Sequence, residues 1–218
     1  MRAWIPLILL VLLAGCAPLQ QGRCVHGNCT DGKGTFRWPG GAVYKGEFEG
    51  RMPHGKGEYS FEDGSSYKGG FEAGQPHGEG FRIYANGMTY EGTWSHGLKD
   101  GWGAETYENG AEYWGDYKAG VPHGFGTYTY PDGARYVGKF QNGSRHGSGQ
   151  LKEADGTLTK GRWEDDKLVE RRDAAGVDEA GDQTPWQGGG EVVMPSAPAA
   201  QDGADTPEED GAPDSPSP

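Results

Sequence analysis

Histidine, cysteine and a pair of opposite charges are the side chains best suited to chemistry in this chain, and their positions are regular. His54, His77, His123 and His146 stand at multiples of 23 residues from one another, each opening a His-Gly-x-Gly segment. Imidazoles in series suggest a metal site, but the elements that must carry them argue against one. If each period is a pair of strands, successive histidines lie about 10 Å apart, whereas zinc ligands lie about 2 Å from the ion. Each imidazole is expected instead to pack or hydrogen-bond in the turn before a strand, a place taken by Asp31 and Asp100 in two other copies. No metal and no cofactor are expected.

Other catalytic arrangements are also missing from the sequence. It contains no phosphate-binding Gly-x-x-x-x-Gly-Lys loop, no Gly-x-Ser-x-Gly elbow and no His-Glu-x-x-His helix. His146 lies near Ser148, yet no third group is evident to orient the pair. The chain is expected not to be an enzyme.

The elements behind these residues are strands. Tyr44, Gly46 and Phe48 alternate with Lys45, Glu47 and Glu49, and Gly57, Tyr59 and Phe61 alternate with Lys56, Glu58 and Ser60. An apolar period of two marks half-buried strands with one aromatic and one charged face. Asp63-Gly64, Asn86-Gly87, Asn109-Gly110, Asp132-Gly133 and Asp155-Gly156 recur between copies as tight turns. Tyr44, Tyr67, Tyr90, Tyr113 and Tyr136 keep the same 23-residue step. A unit this short cannot bury a core alone, so copies must stack on their neighbours. The expected fold is an all-β, single-layer antiparallel array of about a dozen strands across residues 24–163. Its 41 glycines would break helices, but on the aromatic face they leave room for rings to lie over the backbone.

One place breaks the aromatic alternation. The position of Phe36, Tyr59 and Tyr128 becomes Arg82 and Glu105 in the two central copies. Two readings stand: a partly exposed ion pair, or the centre of a recognition groove in which Arg82 and Glu105 orient a polar ligand while Tyr84 and Tyr107 stack on it. If Tyr44, Phe48, Tyr59 and Phe61 close over one another, they are core, and recognition falls to the polar face or the edges.

The repeated unit, Tyr-x-Gly-x-Phe/Trp followed by Gly-x-x-His-Gly-x-Gly, resembles the MORN (membrane occupation and recognition nexus) repeat over roughly residues 24–163. The resemblance implies a β-hairpin solenoid that acts as a scaffold or membrane-associated module. Its departures, Asp31 and Asp100 for His and Thr159 for the leading Tyr, fall mostly on the outer copies.

The two ends differ from the array. Arg2 precedes an apolar run from Trp4 to Leu13 that is too short for a membrane span of about 20 residues, and it reads as a secretory signal over residues 1–15. Its ending, Leu13-Ala14-Gly15-Cys16, resembles the bacterial lipoprotein lipobox, which implies acylation of Cys16, a linker over 16–23 and a bacterial envelope location. Ala17 resembles the residue of lipoproteins sorted to the outer membrane, facing the periplasm. Export favours a disulfide between Cys24 and Cys29 that caps the first, exposed strand. Residues 164–218 form a charged, then acidic tail, expected to be disordered. Eleven of the 32 acids and none of the 20 bases follow Arg172, so the rest of the chain is close to neutral. That balance disfavours nucleic acid and anionic lipid as partners of the array. The expected function is a lipid-anchored envelope scaffold that docks another envelope protein; the alternative is a groove for a glycan or an extended peptide.

Overall fold

The computed structural model describes residues 22–172; the signal-like segment, Cys16 and most of the tail lie outside the described residues. Fourteen strands and no helix occupy them. In chain order these are β1 (Arg23–Gly27), β2 (Gly32–Arg37), β3 (Val43–Glu49), β4 (Met52–Ser60), β5 (Ser66–Glu72), β6 (Gln75–Ile83) and β7 (Thr89–Ser95). They continue as β8 (Leu98–Thr106), β9 (Glu112–Lys118), β10 (Val121–Thr129), β11 (Arg135–Gln141), β12 (Ser144–Lys152), β13 (Leu158–Glu164) and β14 (Lys167–Arg171). Every strand pairs antiparallel with the next in sequence, giving one open 14-stranded sheet. Sheet and last hairpin run past Trp163, where the repeat was expected to stop, to Arg171.

Two kinds of turn alternate along the meander. At one side the Asp-Gly loops place their glycine in the left-handed region, as at Gly64 (φ 84°). There Gly64 N–H donates to Phe61 O, and Phe61 N–H to Ser65 O, so the loop has three residues rather than two. The Asp side chain closes it, with Asp63 Oδ1 accepting from Ser65 N–H at 2.9 Å. At the other side two-residue turns hold both central residues at positive φ, as at Ala73 (47°) and Gly74 (82°), which suits the twist of a hairpin.

The register aligns like residues across the whole sheet. Glycines pair with glycines from Gly34 through Gly46, Gly57, Gly69 and onward to Gly161. A Cβ at Gly57 would meet the Tyr44 ring at 2.5 Å or less, so the glycine row is the bed on which the tyrosines lie. This is the role expected of Gly46 and Gly57. Beside it runs the row Phe36, Tyr44, Tyr59, Tyr67, Arg82, Tyr90, Glu105, Tyr113, which places Arg82 and Glu105 on either side of Tyr90.

Candidate functional site

The aromatic face divides into two rows. The first is sealed: Tyr44, Tyr67, Tyr90, Tyr113 and Tyr136 are each 0% exposed. Each ring sits edge-on between two others, as Tyr44 does with Phe48 and Phe71 at 5.0 Å, and Tyr90 with Trp94 and Tyr117 at 5.0 and 5.1 Å. The chain of contacts continues without a gap to Trp163. Edge-to-face pairs add about 0.5–1.5 kcal/mol each beyond the area they bury. Each hydroxyl is also satisfied, since Tyr44, Tyr67, Tyr90, Tyr113 and Tyr136 donate to backbone carbonyls at 2.9–3.2 Å. Burial raises the pKa of all five, that of Tyr67 to about 12.

The second row is a half-open shelf. Trp38, Tyr59, Phe61, Tyr84, Tyr107, Tyr128 and Tyr130 pack against the sealed row and stay partly exposed. Of the four rings that would decide between core and groove, Tyr44 and Phe48 are therefore buried while Tyr59 and Phe61 remain accessible. A shallow recess opens on this shelf, lined by Met88, Tyr107, Glu108, Asn109 and Tyr128.

Arg82 and Glu105 reach this face at the expected positions, but they do not pair. The ion pair runs between Glu105 and Lys99 instead, with Tyr117 O–H donating to the second carboxylate oxygen at 2.8 Å. Glu105 is only 5% exposed, so it is a buried structural anion and not part of an open groove. Lys99 lies over the rings of Tyr90 and Tyr117, and burial pulls its pKa down against the opposing pull of Glu105. Burial, reinforced by Glu105, raises that of Tyr117. Lys99 was missed from the sequence although a signal existed: Pro53, Pro76 and Pro122 hold its place in other copies. Arg82 meanwhile stacks between Phe61 and Tyr84, its guanidinium carbon 4.8 and 4.6 Å from the ring centres. Its Nε is buried without a hydrogen-bond partner, and it forms no ion pair among the described residues.

The opposite face was expected to be charged, and in the first copies it is, with Lys45 across from Glu58 and Glu58 across from Lys68. In the central copies that row continues as Phe81, Glu91, Ala104, Trp114 and Thr127. Phe81, Trp102 and Phe125 are 38%, 44% and 55% exposed, and Trp102 contacts Trp114 with ring centres 6.1 Å apart. Alternation alone assigns these positions to the polar side, so the exposed rings were legible only as exceptions to it.

Along the edge formed by the two-residue turns, two of the four repeat histidines face acids of their own hairpins. His54 Nδ1 lies 3.2 Å from Glu49 Oε2, and His77 Nδ1 3.2 Å from Glu72 Oε2. Asp31 and Asp100, at the same place in their copies, accept instead from the N–H of the next turn, at Gly50 and Ala119. Cys24 and Cys29 are bridged, with Cα atoms 5.9 Å apart, and their loop packs on β2 at the sheet end.

The MORN repeat family model matches residues 30–43, 44–66, 67–89, 90–112, 113–135 and 136–158. No curated protein matches the chain. Among solved structures, the chain is similar to the TCP domain of SAS-4 (dCPAP) of Drosophila melanogaster, in complex with a proline-rich motif of Ana2 (dSTIL). That similarity has 12% identity, covers 74% of this chain and 86% of that one, and has a TM-score of 0.42. Another is the TCP10 domain of Danio rerio CPAP, with 16% identity, 66% and 68% coverage and a TM-score of 0.37.

Proposed function

Because the chain belongs to the MORN repeat family, we propose that it is a non-catalytic scaffold of a bacterial cell envelope that docks another envelope protein on the outer face of its central copies. The observation that carries this reading is the set of exposed rings Phe81, Trp102 and Phe125 on alternate strands of one face. These rings span β6 to β10, about 20 Å at the usual strand spacing. Acids stand between them, Glu91 across from Phe81 and Asp116 across from Trp102, and charges of both signs form a rim, Lys45, Glu58 and Lys68 before and Lys160 and Arg162 after. Exposed rings interleaved with charges and bounded by a rim of both signs suit a protein interface. The mixed signs of the rim favour a protein over an anionic lipid surface, which would call for clustered bases.

Attachment would come from Cys16. The apolar run ending in Leu13-Ala14-Gly15-Cys16 supports an acylated N-terminus, and more than one acyl chain gives a stable anchor. Ala17 supports an outer-membrane location facing the periplasm.

Capture from intact cells tests the docking face. A photo-reactive amino acid in place of Trp102 should crosslink one protein chain. Trp102→Ser combined with Phe125→Ser should remove that chain from the captured material while the sheet stays folded. Crosslinks to lipid alone, or undiminished recovery from the double variant, would overturn the reading. For the anchor, Cys16→Ser should leave the membrane fraction or remain uncleaved.

A second reading rests on Arg82 itself. A cation stacked between two rings on a half-open shelf, without a salt bridge among the described residues, suits a carboxylate or backbone carbonyl of an extended peptide, with Tyr84 and Tyr107 as stacking surfaces. Because Glu105 is tied to Lys99, the clean probe is Arg82→Ala alone. Loss of a captured ligand from that variant, with the Trp102 crosslink intact, would assign recognition to the shelf.

A further inference from the structure

The repeat histidines were expected to be too far apart to share an ion, but a histidine outside the repeat pattern comes close to one of them. The first residue of the two-residue turn is Gly50, Ala73, His96, Ala119, Asn142 or Asp165 in successive copies. Each turn sits against the preceding hairpin, as Gly97 N–H donates to Pro76 O at 2.9 Å. His96 is therefore delivered beside His77, with their rings 5.5 Å apart. His77 already faces Glu72 across its own hairpin. One ligand atom from each of Glu72, His77 and His96 lies within 4.8 Å of the others, the only such three-residue group among the described residues.

We propose that Glu72, His77 and His96 form a site for a divalent transition-metal ion of the zinc type, which clips one hairpin to the next. Two imidazoles and one carboxylate suit a borderline-soft ion, and three protein ligands leave a fourth tetrahedral position for water or a donor from a partner. The distances agree. Ligands about 2.1 Å from a tetrahedral ion lie about 3.4 Å from each other, and His77 Nδ1 is 3.2 Å from Glu72 Oε2. That nitrogen is buried and makes no hydrogen bond, so the close approach to the carboxylate leaves it with a lone pair or proton unused. His96 Nδ1 lies 3.0 Å from Ser95 Oγ; with that nitrogen held, Nε2 is free to ligate, and the contact orients the ring as outer-shell partners do. Glu72 and His96 are exposed, so small rotations can close the remaining distance. The site belongs to one copy because no other turn begins with histidine.

The test is titration of the full chain, its Cys24–Cys29 bridge intact, with Zn²⁺ alone, followed by calorimetry and native mass spectrometry. One ion per chain should bind, and both His96→Ala and His77→Ala should weaken binding about tenfold or more. His54→Ala and His123→Ala should leave it unchanged. His96→Ala is expected to fold, because Ala73 and Ala119 hold the same turn position at φ 47° and 49°, against 48° for His96. Zn²⁺ should also raise the melting temperature of the unsubstituted chain and not that of His96→Ala. Absence of binding, or binding that His96→Ala leaves intact, overturns the site.

Discussion

The sealed row and the half-open shelf use the same kinds of ring on the same face, yet one is core and the other is surface. Tyr44 and its equivalents lean over the glycine row and sit between two rings. That lean leaves Tyr59, directly across from Tyr44, with its ring centre 6.3 Å away, free to stack on Phe61 at 4.4 Å. The difference teaches that burial in a single-layer sheet is decided by what lies under a ring. Where the backbone beneath is glycine the ring lies over it and is covered by the rings wedged on either side, such as Phe48 and Phe71; Tyr59, with no such bed, stays accessible. Charge departs from this division: Arg82 and Glu105 both hold the Tyr59 position in their copies, yet Glu105 is sunk against Lys99 while Arg82 rides between shelf rings.

The largest expected effect needs no substitution. The sealed tyrosines have raised pKa values, that of Tyr67 to about 12, so the stability they hold is complete below the unfolded value of about 10 and is lost as pH rises through the folded value. An absorbance titration should show the sealed hydroxyls ionising together with cooperative alkaline unfolding. Ionisation of all tyrosines in a folded sheet would contradict the seal.

Cutting the sealed row should cost nearly as much. Tyr90→Ala empties the place of a fully buried ring between Trp94 and Tyr117 and should destabilise by about 3–5 kcal/mol, measured by urea unfolding. Glu105→Ala leaves Lys99 buried without its partner and should cost about 3 kcal/mol or more. Lys99→Pro combined with Glu105→Tyr restores what other copies carry, and should be neutral or stabilise by about 1–4 kcal/mol. If the double substitution destabilises as much as Glu105→Ala, the buried ion pair holds this copy together better than the residues of the other copies would.

Smaller effects belong to the sheet end and the shelf. Cys24→Ser with Cys29→Ser should cost about 2 kcal/mol. The loss should appear as fraying of β1 and β2 in hydrogen exchange, with distant copies unchanged, because coupling runs between neighbours. Arg82→Ala should cost about 1 kcal/mol or less, the scale of a partly exposed cation on rings. A loss as large as that of Tyr90→Ala would erase the distinction between the two rows.

Much of the fold could be read from the chain because the information repeats. A period of two inside a period of 23 specifies strands, turns, register and the aromatic face, and each copy restates it. The site was harder to read where a residue departs from its copies. Arg82 and Glu105 stood out, but pairing them with each other followed from their nearness on one face; Lys99 lies closer to Glu105 in space through a turn that alternation does not describe.

The sequence by itself therefore determined the sheet, its glycine bed and the positions of the exceptions, since these depend on local pattern and on each copy meeting an identical neighbour. Only the tertiary structure decided which rings are sealed, which acid Lys99 meets, and that His96 reaches His77. Those outcomes depend on how side chains from adjacent hairpins lean over one another, and a one-residue exception such as Lys99 or His96 carries no periodic signal to announce its partner.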